Sequence, residues 1–153
     1  MQTKRLVSVA GLNLILQFIG AAISIAKKLP YEFGGAGDPN QVAQDFARGG
    51  GTALSSPLIP LLVLAVFIVL ALRRDGWGTL AVGGITLLAV VFTVAGSQEP
   101  ILWRTLRASP FGVLETIVVA LGGVGILLSL LMLVFGVLEL RERVRAWQRA
   151  KKM

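Results

Sequence analysis

"FGVLETIVVALGGVGILLSLLMLVFGVL", residues 111–138, runs for 28 residues with a single charged side chain, Glu115. As a helix it is about 42 Å long at 1.5 Å per residue, against roughly 30 Å for the hydrocarbon core of a bilayer. It predicts a transmembrane helix that tilts or protrudes, and it commits the rest of the chain to a membrane. Three more apolar blocks follow the same logic, at 6–26, 58–72 and 78–95. The block at 58–72 is short, and reaches spanning length only by recruiting "ALSSP" before it. Pro57 and Pro60 then fall in the first turn, where a missing N–H breaks no helical bond.

The expected fold is an all-α integral membrane protein, a single four-transmembrane-helix bundle. Its spans lie at about 6–26, 54–72, 78–95 and 111–138, its outer loops at 27–53 and 96–110, and a cytoplasmic helical tail at 139–153. The composition agrees, with 55% hydrophobic and 15% charged residues among 153. Neither cysteine nor histidine occurs. That removes disulfides, thiolate nucleophiles and the usual ligands of haem, zinc and copper, so neither a metal nor a cofactor is expected.

The net charge of +7 follows the membrane rather than a nucleic acid. Lys4, Arg5, Arg73, Arg74, Arg141, Arg143, Arg145, Arg149, Lys151 and Lys152 flank one side, and Lys27, Lys28, Arg48, Arg104 and Arg107 the other. The positive-inside rule then predicts cytoplasmic termini. An abundance of Ala, Gly, Val and Leu, with Arg exceeding Lys, points to a bacterial cytoplasmic membrane. The basic start resembles a secretory signal, but its apolar stretch of 21 residues exceeds the ~7 to 15 of such a signal and reads as a retained span.

Two short amphipathic helices are expected on the outer face. In "GDPNQVAQDFARGGG", Asp38 serves as cap and Pro39 as first residue of a helix of about ten residues ended by glycines. In "SQEPILWRTLRASP", Ser97 is the candidate cap and Pro100 the starter. Trp77, Trp103, Arg104, Arg107 and Trp147 are expected as anchors at the membrane surface.

Inside the spans, small and polar residues recur at helical spacing. Asn13, Gln17, Gly20 and Ser24 share one face of the first span, and Thr79, Gly83, Thr86, Thr93 and Ser97 one face of the third. Glu115, Gly122, Gly125, Ser129, Gly136 and Glu139 share a face of the fourth. Such stripes predict close helix packing, with Gly20, Ser24, Gly83, Thr86, Thr93, Gly122, Gly125 and Ser129 as the interface. The alternative is a polar-lined path for a ligand or proton, formed by Glu115, Asn13 and Gln17. The second span has no stripe, which places it at the periphery or against a partner.

Glu115 is read with Pro110 as the first helical residue. It then sits about 7.5 Å below the helix start, either as an anchor paired with Arg104 or Arg107 or as a proton site. Asp75 and Glu99 fall in turns, where capping roles suffice. In the tail "LELRERVRAWQRAKKM", residues 138–153, Glu139 and Arg143, and Glu142 and Arg145, are spaced for ion pairs along a helix attracted to anionic lipid headgroups. With no reactive constellation in view, the expected role is non-catalytic. It is an accessory or scaffold subunit of a larger membrane complex, with other subunits or a second copy as partner, or alternatively a small transporter or lipophile-binding protein.

Overall fold

A computed structural model of the chain describes residues 2–32, 37–107 and 112–150. Among these described residues six helices follow in order: α1 (Gln2–Ala26), α2 (Val42–Arg48), α3 (Leu58–Ala71), α4 (Gly76–Gln98), α5 (Pro100–Leu106) and α6 (Val113–Ala150). Among the described residues there is no strand, only isolated bridges joining Pro30 to Thr52 and Thr52 to Ser55. Three helices, α1, α4 and α6, are long and apolar enough to cross a membrane. α3 is apolar but has only 14 residues, about 21 Å.

Local chemistry sets the helix ends. α1 closes where Lys28 takes a left-handed conformation (φ 54°) and the Leu29 N–H reaches back to the Ser24 carbonyl at 2.8 Å. α4 opens on Asp75, whose Oδ1 accepts from the Gly78 N–H at 2.9 Å while Oδ2 pairs with Arg73. The Gly78 N–H, more than any other contact, holds the Asp75 carboxyl below its ordinary range. α5 opens on Pro100, with Glu99 before it in extended backbone, as a residue preceding proline prefers.

Four expected boundaries are corrected. Residues 53–56 do not lengthen α3, because Thr52 and Ser55 exchange backbone hydrogen bonds in a tight turn instead. α2 has seven residues rather than ten, since Asp38 spends its carboxylate on the Asn40 N–H (2.8 Å) and the Gln41 side chain (3.0 Å), and the helix starts only at Val42. Ser97 caps nothing, as it lies within α4 and its hydroxyl donates to the Val94 carbonyl. The fourth concerns α6, which opens at Val113, with the Gly112 carbonyl accepting from the Thr116 N–H. Glu115 is therefore in its first turn, and Pro110 lies outside the described residues.

α6 packs against α4 and α1, and α3 against those same two helices, closing a ring of four. α5 lies on α6, and α2 touches α1 and α3. The second apolar block thus belongs to the bundle instead of standing apart. Leu61 and Leu64 of α3 join Leu6, Val82, Ile85 and Met132 in a fully buried core. Every helix of the ring keeps an apolar outer face, such as Ile15 on α1, Val66 on α3, Leu87 on α4 and Leu127 on α6. Helices apolar all round suit a lipid surround.

Glycine decides where backbones approach. A Cβ at Gly20 would collide with the Leu54 carbonyl, and one at Gly136 with the Thr86 hydroxyl. Gly84 does this for α3, lying under the Phe67 ring, whereas Gly83 faces open space. The expected α4 stripe is rotated by one residue from the buried face of Gly78, Ala81, Val82, Ile85, Ala89 and Phe92. Thr86 and Thr93 turn their hydroxyls onto their own helix, to the Val82 and Ala89 carbonyls at 2.7 Å each.

At the end holding the N-terminus, Arg143 binds the bundle together. Its Nε donates to Glu139 at 2.7 Å, Nη1 to the Arg73 carbonyl at 2.9 Å and Nη2 to the Ala71 carbonyl at 2.7 Å. Glu139 also accepts from the Thr3 hydroxyl. Arg143 and Glu139 together so join α6, α1 and the α3–α4 turn, with the guanidinium satisfying free carbonyls at the end of α3. The tail helix continues to Ala150 as expected, although among the described residues Glu142 and Arg145 make no ion pair.

The contact at Gly20 is with backbone, which cannot swing aside. Gly20→Ala is expected to lower the thermal unfolding midpoint in detergent by the equivalent of about 1–3 kcal/mol. Gly11→Ala, where a Cβ meets nothing within 4 Å, should leave it unchanged or slightly raised.

Candidate functional site

The polar side chains of α1 point into the bundle, as their spacing requires. Asn13 is fully buried, and its Nδ2 donates to Ser129 Oγ at 3.0 Å and Met132 Sδ at 3.1 Å. Ser129 in turn donates to the Gly125 carbonyl at 2.9 Å. One turn on, Gln17 Oε1 accepts the Ser56 N–H at 2.8 Å. Ser24 is buried, with no partner for its hydroxyl among the described residues.

Gln17 and Gly20 together seat residues 52–57. Gly20 lets the chain come within contact at Leu54, and Gln17 satisfies an N–H next to the two-proline entry to α3. Gln17 lies nine residues before the end of α1, about 13 Å in, so this non-helical segment dips inside the helix ends. Irregular backbone at such depth survives where protein covers it, and Thr52, Ala53 and Ser55 are all buried. Gly51, at φ 77°, turns the chain into the seat.

Beyond the seat lies a partly open cavity of about 170 Å³ between α1, α4, α5 and α6. Its apolar wall includes Leu16, Phe92, Ile101 and Ile126, and its polar groups include Gln17, Thr52, Ser129 and Glu99. Gly122 and Gly125 make room on the α6 side, Gly122 against Leu102 and Gly125 opposite Leu16.

Glu99 is the carboxylate of this site. It is 4% exposed, and as the residue before α5 it caps no helix with its side chain. Instead it turns inward, Oε1 accepting from the Glu32 N–H at 3.1 Å while Oε2 is buried with no partner among the described residues. Burial pushes its pKa up to about 7. The Glu32 N–H draws it down, the Glu32 carboxylate raises it and Arg104 lowers it. Burial, and then the Glu99 charge, also raise the Tyr31 phenol. The site can therefore give or take a proton near neutral pH, and it offers a hydrogen-bonding head above an apolar slot.

The structure brings Gln17 and the Asn13 partner Ser129 to this cavity, but not Glu115. Glu115 is half-buried in the first turn of α6, its carboxylate lying over Gly112, and it has no partner among the described residues. Arg104 folds elsewhere, with both its bonds, 2.8 and 2.6 Å, on Glu32. Arg107 is exposed and makes no side-chain bond among the described residues. In sequence the acid before a proline reads as an ordinary cap; only the contact of the 29–32 segment with the α4–α5 junction turns it inward.

The aromatic anchors are exposed as expected of surface residues. Trp103 hangs its Nε1 on the Ser97 carbonyl at 2.6 Å, and Trp77 and Trp147 line a cleft of about 1020 Å³ at the Arg143 end of the bundle. Among the described residues no group of three or more acidic side chains gathers as a metal site would require. No family model matches the chain, and no characterised protein or solved structure matches it either.

The raised Glu99 value has a definite sign. Because the folded carboxyl holds its proton more tightly than the ordinary 4.5 allows, its contribution to stability is fully present below about pH 4.5 and is lost as pH rises through about 7. The thermal midpoint in detergent should fall between pH 5 and pH 8 by the equivalent of up to about 3 kcal/mol. Glu99→Gln, which keeps the acceptor for the Glu32 N–H, should flatten that dependence.

Proposed function

We propose that the chain is a four-span membrane protein with both termini in the cytoplasm, and that it binds a small lipophilic ligand in the cavity beside Glu99. The observation that carries the reading is the cavity itself. A membrane helix bundle gains nothing by burying a carboxyl oxygen and the Thr52 hydroxyl without partners, unless something else meets them. A volume of about 170 Å³ suits one aromatic ring or the end of a longer amphiphile.

This is the second of the two roles expected from sequence, with Glu99 in place of Glu115. The accessory-subunit role rests on apolar outer faces, which a bilayer covers equally well, so the cavity favours ligand binding over it. The reading is non-catalytic, since the polar lining of the cavity is one carboxyl, an amide and hydroxyls without a base placed to activate a nucleophile.

In the four-span reading α3 crosses with its neighbours. Its helix covers about 21 Å, and the buried 52–57 segment covers the remaining depth within protein. The basic end with Arg73, Arg74 and Arg141 then faces the cytoplasm, where the tail meets anionic headgroups. α2 and α5 lie at the outer surface.

Two experiments test these points. Because the chain has no cysteine, single substitutions report topology cleanly. Asp38→Cys should react with an impermeant maleimide on intact cells and Asp75→Cys only after permeabilisation; the reverse pattern, or labelling of both, would refute the orientation. For the cavity, Gly125→Leu projects a side chain into the space where a Cβ still has 3.8 Å to Leu16. Wild type should bind benzyl alcohol in a calorimetric titration, and Gly125→Leu should lose at least tenfold in affinity at an unchanged thermal midpoint; equal binding by both would count against the cavity as the site.

A further inference from the structure

We infer that the cavity ligand is a cation, a small lipophilic ammonium whose charged head pairs with the free carboxylate oxygen of Glu99. The inference rests on the binding role proposed above and adds the charge of the ligand.

Among the described residues, Glu99 is the only charged side chain on the cavity lining. The groups that face it are known from each packed element. Glu32 and Tyr31 come from the segment after α1, and Arg104 from α5, while α4, α6 and the 49–57 segment contribute no charged group to the lining. Arg104, the one base nearby, is committed to Glu32 by two short bonds. An anionic ligand would therefore meet the Glu99 carboxylate with no base on the lining to offset it. A cation entering beside Glu99 would meet a carboxylate whose Oε2 is buried with no partner among the described residues, while Oε1 is held by the Glu32 N–H.

The remaining wall fits the body of such a ligand. Phe92 and Tyr31 lie on the lining with Leu16, Ile101 and Ile126, so an aromatic or short aliphatic group contacts apolar surface while the ammonium is held by charge and by ring faces. Water expelled from a pocket of this size strengthens the ion pair relative to solution.

Charge balance then ties binding to a proton. When Glu99 is protonated, entry of the ammonium ionises the carboxyl and its proton leaves to solvent, one positive charge in and one out. The Glu99 value of about 7 puts this exchange in the neutral range. Binding of the cation is thus favoured as pH rises, the reverse of what a neutral ligand accepting a hydrogen bond from protonated Glu99 would show.

The test uses the full chain in detergent micelles, with benzylammonium and its neutral counterpart benzyl alcohol as probes, titrated calorimetrically at about pH 6 and about pH 8, on either side of the Glu99 value of about 7. The ammonium should bind about tenfold more tightly at the higher pH, following the ionised fraction of Glu99. Repeating the titration in two buffers of different ionisation enthalpy should reveal release of one proton at the lower pH. Glu99→Gln should abolish ammonium binding and keep alcohol binding, which also reports an intact cavity; if that variant does not fold, the pH dependence and proton release of the wild type decide alone. Tighter alcohol binding at the lower pH with no uptake of ammonium, or ammonium binding indifferent to pH, would overturn the cationic ligand and leave the cavity as a site. Failure of both probes at both pH values would overturn the cation together with the binding role.

Discussion

The rest of the structure depends on the seating of residues 52–57 inside one end of the bundle. Backbone at that depth has little water to satisfy it, and the chain meets the demand with one side-chain acceptor and one missing side chain. Gln17 takes the Ser56 N–H, and Gly20 yields the space into which Leu54 settles. Proline at 57 and 60 reduces the demand further, since neither has an N–H to satisfy. From this seat follow the shortness of α3, the burial of Thr52 and Ser55, and the roof of the cavity.

The opposite end is organised by a different economy of groups. Arg143 and Glu139 are both nearly buried, and each is paired more than once, so the ion pair is not left to offset its desolvation alone. The planar guanidinium reaches two carbonyls of the α3–α4 turn and a carboxylate of its own helix, a geometry that a lysine ammonium lacks. That end is closed by charge-assisted bonds. At the Glu99 end a buried carboxyl oxygen and the Thr52 hydroxyl, both of residues that line the cavity, have no partner among the described residues, and that is the basis for placing the ligand there.

Legibility in the sequence followed the periodic features. On the faces expected of α1 and α6, Asn13, Gly20, Ser24, Ser129, Gly136 and Glu139 are buried where their spacing put them, because a helix converts spacing into direction, while Gln17, Gly122 and Gly125 are partly buried along the cavity and Glu115 half-buried at the helix start. On α4 the buried row of Gly78, Val82, Ile85, Ala89 and Phe92 lies one residue before the expected stripe, and it is Gly84, not Gly83, that meets α3. Polar and small residues there run along two adjacent rows, and the threonines satisfy themselves on their own carbonyls, so side-chain chemistry did not distinguish the packed row. By local pattern Glu99 suits a cap and Glu115 the membrane carboxylate. Depth along a helix was legible, but which loop would cover which acid was not.

The sequence by itself determined that this is a helical membrane protein with three long apolar helices, a fourth that is short, and polar stripes that turn inward. These are local consequences of apolar length and helical period, and no neighbour is needed to read them. Only the tertiary structure decided that residues 52–57 fold inward, that Arg104 serves Glu32 and not Glu115, and that Glu99 is the buried acid of the cavity. Each depends on contacts between segments 39 to 72 residues apart, whose geometry is set by how four helices close on one another.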